Sequence, residues 1–143
     1  MPDAAALRRL AMRTLAYHAG GGDAAAIAAA AHRTYEDLAQ LLTPLIGPAG
    51  IDALTARALH LAQNQYPWLV HRREPGQAQG PFAQVVARLK DQDCAVAAEA
   101  AGAVLAILAG LLITFIGESL TTQLLRKAWP DAVSGSSAEE HNA

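Results

Sequence analysis

The chain has 143 residues, of which 52% are hydrophobic and 17% charged. That balance suits one domain with its own core and excludes an unfolded polymer or two independent domains. The net charge is −2, and because Asp131, Glu139 and Glu140 near the C-terminus are all acidic, residues 1–130 are close to neutral. The concentrated basic face of a nucleic-acid binder is therefore not expected.

The single Cys94 cannot form an internal disulfide, and no Cys/His spacing fits zinc. The opening stretch meets Arg8 and Arg9 before any long apolar run, unlike a secretory leader. Both features point to the cytoplasm, a reducing compartment. The abundance of alanine, and of Arg over Lys, is typical of GC-rich bacterial genomes and carries no functional information.

Alanine, leucine and glutamine are plentiful, and no run alternates Val, Ile or Thr with polar residues. These features predict an all-α fold: a compact bundle of five or six helices around a central apolar helix at about 94–117. Residues 1–130 form the helical domain, and the small, polar, acidic stretch 131–143 reads as a disordered tail.

A first helix is expected over Asp3–His18, with Leu7, Leu10, Ala11 and Thr14 inward and Arg8, Arg9 and Arg13 off that stripe. Gly20–Gly22 ends it. Asp23 is placed to cap a second helix over Ala24–Leu42, whose inward face carries Ile27, Ala31, Tyr35, Leu38 and Leu42. Pro44 should end or kink that helix, and the Gly47–Gly50 turn should open a third, ending near Tyr66.

Residues 67–80 read as the longest irregular connection. A fourth helix is expected from Pro81, burying Phe82, Val85, Val86 and Leu89. Asp91 or Asp93 is placed to cap the fifth, which holds no charge from Ala100 to Ile116. Those 17 residues span about 25 Å, against a hydrocarbon core of about 30 Å. Buried core is the favoured reading and a single membrane span the alternative. Its small residues, Gly110 among them, are expected to pack against neighbouring helices. A last segment with Leu120, Leu124 and Leu125 inward should stop at Trp129–Pro130.

Few residues suggest chemistry. P-loop, GxGxxG, GxSxG and HExxH patterns are missing, no cofactor or metal is implied, and a non-enzymatic role is expected. His32, Arg33, Glu36 and Asp37 read as a solvated helix face. Arg57, His60 and Asn64 share one face of the third helix, as a pocket between helices lined for a small apolar ligand would require. Cys94 reads as a small buried residue.

Tyr66, Trp68, Arg72 and Arg73 combine large contact area with polar ends, as interaction hot spots do. They compose the expected partner-binding loop, with Trp68 folding back as a core plug as the alternative. A second candidate face is formed by Arg8, Arg9 and Arg13. The expected function is a regulatory or accessory module that forms a homodimer and contacts a further protein.

Overall fold

The computed structural model describes residues 4–19, 22–69 and 81–129. Five helices and no strand are found among the described residues: α1 (Ala4–Ala19), α2 (Ala24–Ala62), α3 (Pro81–Leu89), α4 (Cys94–Ile116) and α5 (Glu118–Ala128). The all-α bundle around a long apolar helix is thus observed. α4 packs against all four other helices, whereas α1 meets only α2 and α4.

α4 is the one described helix long and apolar enough to cross a membrane, and 67% of its most apolar stretch is buried against its neighbours. Burial of most of an almost uncharged helix requires amphipathic partners, which α1, α3 and α5 supply. Their inward side chains include Leu7, Ala11 and Leu15 from α1, Phe82, Val85 and Leu89 from α3, and Leu124 and Leu125 from α5. Leu10 and Val86, expected inside, are half-buried, and Leu120 is exposed.

α1 runs antiparallel to α4. Leu7 lies beside Gly110, Met12 lies over Gly102, and the Cys94 thiol donates to the Gly22 carbonyl at 3.3 Å. The close approach is at Gly102, where a Cβ would come within 2.5 Å of the Met12 sulfur. At Gly110 the nearest atom would be 3.9 Å away, an ordinary contact, so the tight helix crossing lies two turns earlier than expected. Cys94 is exposed rather than buried, because it occupies the first position of α4 at the edge of the bundle.

Both expected caps are made. Asp23 accepts from the Ala26 amide at 3.1 Å, and Asp93 accepts from the Ala95 amide at 3.2 Å. The break in α2 comes later than expected: helical geometry continues through Pro44 and is interrupted at Gly47, with φ 78° and ψ 163°. That backbone is essentially restricted to glycine. Pro48 follows, suited to a first helical turn.

The interruption reverses the chain. In a straight helix Tyr35 and Thr55 would be about 30 Å apart, yet their hydroxyl oxygens are 3.0 Å apart. The Thr55 hydroxyl donates to the Ile51 carbonyl at 2.8 Å, so the Tyr35 hydroxyl is the donor in the pair. α2 is therefore a helical hairpin with two limbs, Ala24–Ile46 and Pro48–Ala62.

Trp129, expected only as a stop signal, is 1% exposed and heads the largest fully buried side chains. Its indole N–H donates to the Thr34 carbonyl at 3.1 Å, fastening the end of α5 to the first limb of α2. The buried hydroxyls of Thr14 and Thr34 bond back to the carbonyls of Leu10 and Ala30. The tail at 131–143 and most of the 67–80 connection lie outside the described residues.

Candidate functional site

Two surface features stand out, an apolar end and a groove. The first limb of α2 begins near Cys94, whose thiol meets Gly22, and α5, returning from the Gly117 corner, reaches Thr34 of that limb through Trp129. Ala24 to Ile46 and Cys94 to Ile116 are both about 33 Å of helix, so the Gly47 turn and the α4–α5 corner reach the same end of the bundle. The exposed large hydrophobic residues among those described are Leu45 (51%), Phe115 (64%) and Leu120 (37%), each within three residues of the Gly47 turn or the Gly117 corner in the chain.

The groove lies between the first limb of α2 and α3, closed at one end by the start of the second limb, with a volume of about 920 Å³. Its long wall is one helical stripe: Ala25, Ala29, His32, Glu36, Ala39 and Thr43. These follow the 3–4 spacing of a single face and extend about 27 Å. The opposite face of the same limb, with Ile27, Ala31, Leu38 and Leu42, is buried in the core.

The floor is aromatic. Tyr35 and Phe82 stack with ring centroids 4.2 Å apart and planes 6° apart, which holds α3 onto α2. Burial raises the pKa of the Tyr35 hydroxyl above its ordinary value, and the Asp52 and Glu36 carboxylates add to the rise. Both carboxylates therefore act on the same part of the groove. Lys90, just past the end of α3, also lines it and is followed in sequence by the exposed Asp91 and Asp93.

The residues singled out from sequence fall elsewhere. Arg57, His60 and Asn64 are all exposed, on the second limb of α2 and the turn after it, and none lines this groove. Tyr66 and Trp68 are half-buried, pack on the core and meet edge to face, with centroids 6.1 Å apart. The Tyr66 hydroxyl accepts from the Arg8 guanidinium at 2.9 Å, and the Gln63 side chain donates to the Leu69 carbonyl at 2.7 Å. The base of the expected partner loop is thus tied to α1 and α2, while Arg72 and Arg73 lie outside the described residues. Arg8, Arg9 and Arg13 border a shallower depression with Met12.

Glu36 was visible in the sequence as part of a solvated face, whereas Asp52 and Lys90 gave no signal. Both join Glu36 on one groove only through the Gly47 reversal and the packing of α3. No protein family matches the chain, and no curated protein or solved structure is significantly similar to it.

Proposed function

We propose that this all-α bundle is a non-enzymatic module that acts by protein contact and self-associates as a homodimer in the cytoplasm. The observation that supports it is the apolar end: Leu45, Phe115 and Leu120, from three different elements, are all exposed there. Large apolar side chains gathered at one end mark interaction surfaces, since leaving them in water forgoes about 25 cal/mol per Å². A two-fold dimer covers such a patch with its own copy, the commonest arrangement among oligomers.

Light scattering on the detergent-free protein tests this. The expected result is twice the chain mass, with Phe115→Asp shifting the equilibrium to monomer while helicity is unchanged. A monomeric wild-type protein at high micromolar concentration overturns self-association. Recovery only from the membrane fraction, or binding of the monomer to neutral phosphatidylcholine vesicles through Phe115, gives that end to a bilayer instead.

A further inference from the structure

We infer that the groove between α2 and α3 is a separate docking site for a basic amphipathic helix of a partner protein. Its shape suits a third helix. Its α2 wall is straight over about 27 Å, the length of roughly 18 helical residues, and is faced by the start of the second limb and by the nine-residue α3. Side chains at Ala25, Ala29, Ala39, Ala83 and Ala87 stop at Cβ, so a helix laid between the walls reaches the close axial spacing of about 8–10 Å. Ile51, Val86 and the aromatic floor supply deeper apolar contact.

Charge selects the partner. Glu36 and Asp52 border the end nearer the Gly47 turn, where both carboxylates act on Tyr35. At the other end Lys90 lines the groove, next in sequence to the exposed Asp91, and the exposed caps Asp23 and Asp93 adjoin the Gly22–Cys94 contact. Among the charged residues that line the groove two carboxylates face one lysine, while the floor is apolar. A helix with a narrow spine of Ala and Leu, flanked by Lys or Arg, matches both the floor and the rims.

The test uses the full chain and two labelled 18-residue helical peptides with the same Ala/Leu spine, one flanked by Lys and one by Glu. Fluorescence anisotropy should show the Lys peptide binding at least tenfold more tightly than the Glu peptide, with affinity falling as salt rises. The double variant Glu36→Gln/Asp52→Asn should weaken the Lys peptide at least tenfold. Neither residue is buried, so an unchanged thermal melt is the expected control. Ala29→Arg should abolish binding and leave the oligomeric state unaltered.

Equal affinity for the two peptides, no binding of either, or indifference to the double variant overturns the proposal. Dissociation of the dimer by Ala29→Arg would give the groove to a second copy and overturns it as well. The dimer reading stands or falls on Phe115→Asp, so failure of one proposal does not entail failure of the other.

Discussion

The seam between α1 and α4 and the face between α2 and α3 are both made from alanine-rich helices, yet one is sealed and the other open. On α4, Ala101, Gly102 and Ala109 are buried, with Met12 and Leu7 of α1 laid against the helix. On α2, Ala25 and Ala29 remain exposed, because α3 is only nine residues long and its packing axis is the Tyr35–Phe82 stack at their side. Small residues permit close approach but do not choose a partner. What fills the space beside them is decided by the length and placement of the neighbouring helix.

The sealed half should be costly to disturb. Trp129→Ala removes the largest buried side chain and the bond to the Thr34 carbonyl. A loss of about 3–5 kcal/mol is expected from denaturant unfolding. A cost under 1 kcal/mol would mean that α5 is not anchored there.

A direct comparison places leucine on each side. Gly102→Leu drives a side chain into Met12 and should destabilise by about 1–3 kcal/mol through overpacking. Ala29→Leu, on the open wall, should stay within about 0.5 kcal/mol of wild type in the absence of a partner. Equal effects at the two sites would erase the distinction between sealed and open faces.

A modest effect is expected at the floor of the groove. Tyr35→Phe keeps the ring stack but removes the bond to Thr55, at a cost of about 1 kcal/mol near neutral pH. The folded-state pKa of Tyr35 is raised from its ordinary 10.0, so the folded state holds its proton more tightly. Its contribution is complete below pH 10 and lost as the pH climbs through the raised value. Alkaline melts should therefore show a shallower loss above pH 10 in the variant than in wild type.

Much of the fold was legible before the structure. Asp23 announced its cap, Asp93 was one of two candidates for the cap of α4, and Pro81 and the apolar Ala100–Ile116 run located two helices. Each of these signals is local, acting within a turn or two of chain. The errors share a different cause. Pro44 drew the expected break because a proline interior to a helix loses a backbone bond, but the reversal falls at Gly47 with its positive φ. Gly110 and Gly102 look alike in sequence, and only the approach of Met12 distinguishes them.

The candidate surfaces show the same division. Tyr66 and Trp68 have the composition of a hot spot, and the structure ties their segment to α1 through Arg8. Arg57, His60 and Asn64 share a face as their spacing required, and that face looks outward. The groove was half legible, since the stripe from Ala25 to Thr43 is present in the α2 sequence at helical spacing.

By itself the sequence determined that this protein is helical, where most helices start, and that Ala100–Ile116 must be enclosed by apolar surface. Periodicity, capping and hydrophobicity act along the chain, so they can be read along it. Only the tertiary structure decided that α2 folds back at Gly47, that Trp129 locks α5 to Thr34, and that Glu36, Asp52 and Lys90 border one groove. Those outcomes depend on packing between residues up to 95 positions apart, where shape and the competition for buried space choose the partners.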